Sequence, residues 1–255
     1  MKTMMVVLLL WAHAADAAER CGKEGVSLEV LGTEHPSYVV WVDKVSLYLI
    51  DTGPGALANF VAAGGAIETL EAVFVGTHAD AQAADLPALL TTAGASARKN
   101  ELPVLGPKGT AARVATFFNA KKFDHLNSAT PFPLAARDVK DTKKAIRTIF
   151  TSKLAEVDAL TLSDGKEPAL AYRVRTHGKS LVIFGDGDGA GDALIELAKG
   201  ADILVFGHVP GARAGEIATA AKVKRLVMPH LAASERKASL YKGSVIFSAD
   251  RECLR

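Results

Sequence analysis

The chain has 255 residues, of which 49% are hydrophobic, and its formal net charge is +2. This length supports one sizeable hydrophobic core, as one large α/β domain or as two fused halves. A charge so close to zero gives no electrostatic reason for binding nucleic acid or an acidic membrane surface, so we expect neither partner. The basic run 140–147 is interpreted as a solvated face, with a surface for a partner protein as the alternative.

Residues 1–18 are typical of a cleaved secretory signal. Lys2 precedes an apolar stretch over residues 4–12, and small residues follow it. The stretch is too short to span a bilayer, and the arginine directly before Cys21 argues against lipid attachment there. We therefore expect a mature domain over residues 19–255, located in the periplasm or secreted, with no stable membrane anchor.

The chain contains two cysteines, Cys21 and Cys253, near opposite ends of this mature domain. In an exported protein an even number of cysteines favours disulfide formation, and two cysteines permit one intramolecular pairing. The sequence therefore predicts a Cys21–Cys253 bridge that joins the two termini.

The first half of the chain begins with strands and then alternates with helices. Runs rich in β-branched and aromatic residues, bounded by Gly or Pro, predict strands over 26–32, 38–42, 45–53, 71–78 and 102–107. Helical segments are predicted over 57–70, with an interruption at two glycines, over 85–94 and over 110–123. Asp85 is the predicted N-cap of the second of these helices, and Pro87 lies in its first turn.

The second half begins with a less regular region, residues 124–165. Predicted strands and helices then alternate to the end of the chain. Short strands are predicted over 145–152 and 157–163, followed by a hairpin over 168–187 that turns at His177 and Gly178. Helices over 192–201 and 214–222 then alternate with strands over 201–209, 223–231 and 243–250. Strands followed by alternating strands and helices indicate sheets covered by helices, an α/β sandwich.

Polar residues recur directly after these apolar strands. The five positions are Asp51, His78, Asp186, His208 and His230. A single histidine after a strand is commonly a structural hydrogen-bonding group. Because strand ends of an α/β sheet face one crevice, where ligands usually bind, five such residues favour a shared site.

The order of several segments carries a family resemblance. They are YVVWV…SLYLIDTGPG, TH…DLPALL, PALAYRV…SLVIFGD, ADILVFGH, KVKRLVMPH and VIFSADRECL. In this order the chain resembles the metallo-β-lactamase superfamily, and most of all exported members close to transfer-RNA 3′-processing nucleases and arylsulfatases. The resemblance implies a single αββα sandwich domain, with two sheets face to face and helices outside.

Active members of the family carry a T-H-x-H-x-D-H motif, which is eroded in this chain. His78 aligns with the first histidine, Asp80 stands at the second, and Gln82 is the residue nearest to the missing Asp-His pair. The resemblance further implies Asp164 in place of a third histidine, Asp186 as the metal-bridging aspartate and His230 as the final histidine. The implied ligands are thus His78, Asp80, Asp164, Asp186 and His230, with Asp51, Gln82 and His208 beside them in the cleft.

This ligand set is too small for two metal ions. A catalytic zinc takes three protein ligands and keeps one position open for water. Our first hypothesis is therefore an exported, catalytically impaired member that binds no metal and keeps a cleft for a small-molecule or ester-type ligand. The alternative is a hydrolase of phosphodiesters or esters with one divalent ion, Zn²⁺, Mn²⁺ or Mg²⁺, of which a carboxylate-rich site favours the last two.

Overall fold

The structure, a computed structural model, describes most of the chain after the N-terminal segment. The described residues are 21–32, 34–119, 134–140, 145–163, 168–186, 191–208, 210–229, 241–247 and 252–255. The predicted signal, residues 1–18, lies outside this part of the chain, and the boundary at residue 19 stays a prediction.

The strands of the first sheet come from the first half of the chain and from its last residues. They are β1 (Val26–Leu31), β2 (Ser37–Val42), β3 (Val45–Ile50), β4 (Ala72–Phe74), β5 (Leu102–Gly106), β6 (Leu134–Asp138) and β14 (Cys253–Leu254). Their order in the sheet is β14-β1-β2-β3-β4-β5-β6. Strands β3 to β6 run parallel, so their carboxyl ends lie at one edge.

The second sheet is built from the second half of the chain. Its strands are β7 (Arg147–Thr151), β8 (Ala155–Ser163), β9 (Pro168–Thr176), β10 (Lys179–Asp186), β11 (Ile203–His208), β12 (Arg225–Val227) and β13 (Ser244–Ile246). They are ordered β13-β12-β11-β10-β9-β8-β7. The predicted hairpin between β9 and β10 is confirmed, and both turn residues, His177 and Gly178, have positive φ angles.

Helices connect the parallel strands and cover the outer faces. Those on the first sheet are α1 (Ala56–Ala62), α2 (Asp80–Ala83), α3 (Leu86–Ala95) and α4 (Thr110–Asn119), and those on the second are α5 (Asp192–Ala198) and α6 (Gly211–Ala220). Among the described residues, no helix combines the length and the apolar character needed to cross a bilayer.

Hydrophobic side chains pack in three layers. The central layer lies between the sheets and includes Tyr48, Phe74 and Tyr172, all almost fully buried. One outer layer joins α5 and α6 to the second sheet, and the other joins α1, α3 and α4 to the first. Helix, sheet, sheet and helix therefore follow one another through the molecule, which confirms the single-domain αββα sandwich.

An aromatic cluster crosses the central layer. The ring of Phe74 lies 5.4 Å from Tyr48, 5.9 Å from Phe150 and 5.3 Å from Tyr172, measured between centroids. The Tyr172 hydroxyl also donates a 2.6 Å hydrogen bond to the carbonyl oxygen of Val75 in the opposite sheet. The cluster therefore fixes the end of β4, just before the segment 77–85, against the second sheet.

The predicted disulfide is confirmed. Cys21 and Cys253 are bonded, with their Cα atoms 5.2 Å apart. Strand β14 contains only two residues, and it pairs with β1 in the register Glu29 to Cys253 and Leu28 to Leu254. The bridge thus holds the end of the chain against the edge of the first sheet.

Asp85 is the N-cap residue of α3, as predicted, but its side chain does not cap that helix. Its side chain makes no capping bond to α3, whose first turn contains the expected proline. Instead, Oδ2 accepts a 3.1 Å hydrogen bond from the backbone N–H of Leu57 in the first turn of α1. The predicted position is therefore confirmed, but the carboxylate binds a second helix N-terminus, which tertiary packing brings close with its own unsatisfied N–H groups.

Candidate functional site

The segment 77–85, which was aligned with the family motif, lies where the carboxyl ends of strands from both sheets meet. The backbone N–H of Leu170 in β9 donates a 2.9 Å hydrogen bond to the carbonyl oxygen of Gly76, just after β4. In the second sheet, Asp186 and His208 end the parallel strands β10 and β11 and are partners in their register. The two sheets are therefore hydrogen-bonded to each other at the edge that carries the candidate residues.

Asp51 forms the buried centre of this edge. Asp51 is only 1% exposed to solvent, and its Oδ1 accepts a 2.6 Å hydrogen bond from the backbone N–H of Gly76. A Cβ atom placed on Gly185 would lie 2.7 Å from Oδ2, so the approach of β10 to this carboxylate requires a glycine. Asp51 thus joins the ends of β3, β4 and β10.

Two tyrosines of the central layer are influenced by the Asp51 carboxylate. Burial, and secondarily the negative charge of Asp51, raises the pKa of Tyr38 and of Tyr172 well above the usual value. Both phenols therefore remain protonated near neutral pH, and Tyr172 acts as a hydrogen-bond donor.

His78 contacts the N-terminal turn of α4. Its Nε2 lies 2.8 Å from the Thr110 hydroxyl oxygen, which is itself 2.7 Å from the carbonyl oxygen of Pro107. The hydroxyl proton is needed between the two oxygens, so Thr110 donates to Pro107 and accepts from His78. Neutral His78 consequently carries its proton on Nε2, and Nδ1 is the nitrogen with the lone pair.

Asp138 stabilises the turn that holds Thr110. Its carboxylate accepts 2.9 Å hydrogen bonds from the backbone N–H groups of Gly109 and Ala111. Partial burial alone would raise the pKa of Asp138, but these two bonds and the nearby charges of His78 and Lys108 hold it below its usual value. The partial positive charge at the N-terminus of α4 also favours a negatively charged carboxylate at this position.

The side chain of Asp80 is exposed to solvent. Its side chain is 91% exposed, and Oδ1 lies 3.5 Å from a guanidinium nitrogen of Arg113 in α4. Gln82, by contrast, is buried, and its Oε1 accepts a 3.2 Å hydrogen bond from the Thr77 hydroxyl. Its Cγ would lie 3.8 Å from a Cβ on Gly185, which places the amide side chain beside β10.

The remaining candidate ligands are described in part or not at all. Asp164 and His230 lie outside the described residues, and for Asp186 and His208 the structure describes the backbone. Among the side chains that are described, no group of three or more His, Cys, Asp or Glu residues is arranged to hold a metal ion. The metal assignment to His78, Asp80, Asp164, Asp186 and His230 therefore stays a prediction.

Sequence reasoning missed three residues that contact the candidate site, namely Thr110, Arg113 and Asp138. They lie far along the chain from the motif, and their contacts depend on how α4 and β6 pack beside β4. The sequence did contain one signal, a glycine and a threonine at the start of a predicted helix directly after a strand.

We expect Thr110→Val to disturb the tautomer of His78, because valine has no hydroxyl to accept the Nε2 proton. ¹⁵N chemical shifts of the imidazole should show the Nε2–H form in the wild type and in Thr110→Ser, and a mixture of tautomers in Thr110→Val. The loss of the two hydrogen bonds should cost roughly 1–2 kcal/mol of stability. Unchanged His78 shifts in Thr110→Val would contradict the assignment.

Comparison with known families identifies the fold family. The model of a family described as the beta-lactamase superfamily domain matches residues 47–231, more than half of the chain. The chain belongs to the metallo-β-lactamase superfamily. The family resemblance predicted from the sequence is thereby confirmed.

The curated relatives of this superfamily member are ribonucleases by name. Ribonuclease Z of Mycolicibacterium gilvum (strain PYR-GCK) is 30% identical over 169 residues, which cover 62% of this chain and 57% of the relative. Ribonuclease Z of Mycolicibacterium paratuberculosis (strain ATCC BAA-968 / K-10) is 30% identical over 170 residues, which cover 62% of this chain and 59% of the relative. The chain thus spans less than two thirds of the length of the curated relatives it matches.

Solved structures of the superfamily show the same fold. The short form of human tRNase Z has a TM-score of 0.73 at 18% identity, over 90% of this chain and 98% of that chain. YhfI from Bacillus subtilis, a metallo-β-lactamase fold protein, has a TM-score of 0.69 at 18% identity, over 91% and 100%. Zn²⁺-bound PqqB from Methylobacterium extorquens has a TM-score of 0.62 at 14% identity, over 90% and 99%.

These findings correct the expectation of no nucleic-acid partner. That expectation was wrong as a deduction from net charge, because the curated relatives are ribonucleases. Net charge averages over the whole surface, whereas phosphate groups are bound by local arrangements of cationic, polar or metal-bound groups. A net charge of +2 therefore excludes nothing about a cleft of this kind.

Proposed function

We propose that this metallo-β-lactamase-fold protein has a degenerate metal site, little or no hydrolytic activity, and a cleft that binds a phosphodiester-containing ligand. RNA is the ligand class that the names of the curated relatives favour. One observation carries the proposal: three side chains of the motif segment already contact other side chains of this chain. The contacts are His78 with Thr110, Asp80 with Arg113, and Gln82 with Thr77.

These contacts weaken a metal site in three different ways. The Nε2 atom of His78 carries a proton that is donated to Thr110, so a metal would have to bind Nδ1 or displace this bond. The Asp80 carboxylate is almost fully exposed and lies beside a cation. The amide of Gln82 is neutral, and its oxygen is already hydrogen-bonded. A zinc site needs three well-oriented protein ligands, and among these three side chains only His78, through Nδ1, offers one without breaking its present contact.

Metal content and turnover test the loss of catalysis. We expect the full chain, purified without chelators, to hold well under one equivalent of zinc or manganese by mass spectrometry. Its hydrolysis of bis(4-nitrophenyl) phosphate and of an oligoribonucleotide should be no faster than that of the Asp186→Ala variant. Stoichiometric metal, together with turnover that Asp186→Ala abolishes, would overturn this part of the proposal.

Binding to a fluorescent oligoribonucleotide in EDTA tests the retained cleft. We expect saturable binding, measured by anisotropy, that His78→Glu weakens several-fold because a carboxylate repels phosphate at close range. His78→Gln is the matched control, since its amide can still donate to Thr110 and adds no charge. The absence of saturable binding, or equal affinities for the two variants, would contradict an RNA-binding role of this cleft.

The second candidate function is a mononuclear metal-dependent hydrolase of phosphodiesters or esters. It is favoured by the register partnership of Asp186 with His208, which places the two residues side by side at the cleft edge near Asp51. His78, Asp80, Asp164, Asp186 and His230 would hold one Zn²⁺, Mn²⁺ or Mg²⁺ ion, which would activate water. In that case Asp186→Ala and His230→Ala would each abolish both metal uptake and turnover.

We also propose export through residues 1–18. The bridge between Cys21 and Cys253 supports it, since disulfides persist in oxidising compartments. N-terminal sequencing of the protein from its natural host should give a chain that begins near residue 19. An intact Met1 in that material would overturn the proposal.

A further inference from the structure

Helix α4 presents two side chains of one face to the segment 77–85. Thr110 and Arg113 are three positions apart, so they project from the same side of the helix, with about 5–6 Å between their Cβ atoms. Thr110 contacts His78, and a guanidinium nitrogen of Arg113 lies 3.5 Å from Oδ1 of Asp80. The Asp80 carboxylate is therefore held about one helical turn from the imidazole of His78.

Stability does not account for an arginine at position 113. The Asp80 side chain is 91% exposed, and ion pairs to exposed groups contribute little. The Nε atom of Arg113 is buried and has no hydrogen-bond partner in the described part of the chain, which costs stability rather than adding it. A methionine would fill the same space without this buried N–H group. The property that distinguishes the arginine is its charge.

The charges on this wall of the cleft balance one another. Asp80 is paired with Arg113, and the carboxylate of Asp138 interacts with the nearby charge of Lys108. These four groups together contribute no net charge beside His78, so an anionic ligand can approach the imidazole. Without Arg113, the carboxylate of Asp80 would leave the same wall with a net charge of −1.

We propose that Arg113 is a positioning residue of the phosphodiester site, which neutralises Asp80 so that phosphate groups of RNA can reach His78. This role rests on the RNA binding proposed for the cleft. In water, one unit charge about 6 Å from another changes the affinity for it roughly threefold, and the effect is larger where protein excludes part of the water. Arg113 acts here through Asp80 and not as a contact of the ligand.

RNA binding by charge variants of the full chain tests this role. In EDTA and at low salt, we expect Arg113→Gln to weaken the binding of a fluorescent oligoribonucleotide about threefold or more. The double variant Asp80→Asn/Arg113→Gln should recover the wild-type affinity, and Arg113→Lys, which keeps the charge, should bind as the wild type does. The weakening by Arg113→Gln should shrink between about 0.01 M and 0.1 M salt, as the screening length falls from about 30 Å to about 10 Å.

Lys199→Gln is the matched control, because it also removes one positive charge from the chain. This lysine pairs with Glu196 at the C-terminal end of α5, close to the start of β11 and away from the cleft, so its loss should leave the affinity unchanged.

The outcomes separate this role from the proposed function. Wild-type binding that Arg113→Gln leaves unchanged, or that Lys199→Gln weakens equally, would overturn the role of Arg113 alone. A double variant that stays as weak as Arg113→Gln would do the same, whereas recovered affinity also excludes unfolding as the cause of the weakening. The absence of saturable binding by the wild type would overturn this role together with the proposed function.

Discussion

Replacing both Cys21 and Cys253 by alanine is expected to lower the free energy of unfolding by about 2 to 5 kcal/mol. The two residues are 232 positions apart, so the bridge removes a large amount of conformational freedom from the unfolded chain. It also holds β14, whose two residues are too few to remain paired to β1 by backbone hydrogen bonds alone. Urea denaturation of the oxidised wild type and of the variant measures the difference.

Reduction of the wild type provides the control for this experiment. Dithiothreitol should lower the denaturation midpoint of the wild type to that of the double variant and should leave the variant unchanged. A difference below about 1 kcal/mol, under the usual range for native disulfides, would show that β14 contributes little to the stability of the domain.

Phe74→Ala is expected to cost about 3 to 5 kcal/mol of stability, the usual loss for a buried aromatic side chain. Phe74 is fully buried, and its ring contacts Tyr48, Phe150 and Tyr172. Truncation would leave a cavity between the two sheets and weaken the contact of Tyr172, whose hydroxyl holds the segment that precedes the motif. Thermal and urea unfolding would both measure the loss.

Two substitutions calibrate this result. Phe74→Leu keeps most of the volume and should cost clearly less than Phe74→Ala. Val61→Ala truncates a side chain of a residue that is 57% exposed, and it should change stability by about 0.5 kcal/mol or less. If Phe74→Ala cost no more than Val61→Ala, the aromatic cluster would not connect the sheets.

The sequence predicted the sandwich because its long strands consist of continuous β-branched and aromatic runs. Strands β1, β2, β3, β9, β10 and β11 all follow from such runs. It missed β6 and β14, which lie at the two edges of the first sheet. The sequence LAARD of β6 has little β propensity, and two residues in β14 are too few to show any alternation.

The candidate site was predicted less completely than the fold. Residues Asp51, Asp186 and His208 could be assigned to one edge because each follows a recognisable strand. The partners of His78 and Asp80 could not be predicted from the sequence. Thr110 and Arg113 contact them only because α4 packs beside β4. Side-chain contacts between distant segments depend on loop conformation, which local patterns do not specify.

The pairing of β14 with β1 has a consequence for how the protein is made. Strand β1 is among the first parts of the domain to be synthesised, whereas its edge partner is at residues 253–254. Until residues 253–254 have been made, β1 therefore presents unpaired backbone groups on the side away from β2, a surface on which incomplete chains can join one another. The sheet is complete only when residues 253–254 can reach β1, so productive maturation requires that the half-finished domain be kept apart from its neighbours until then.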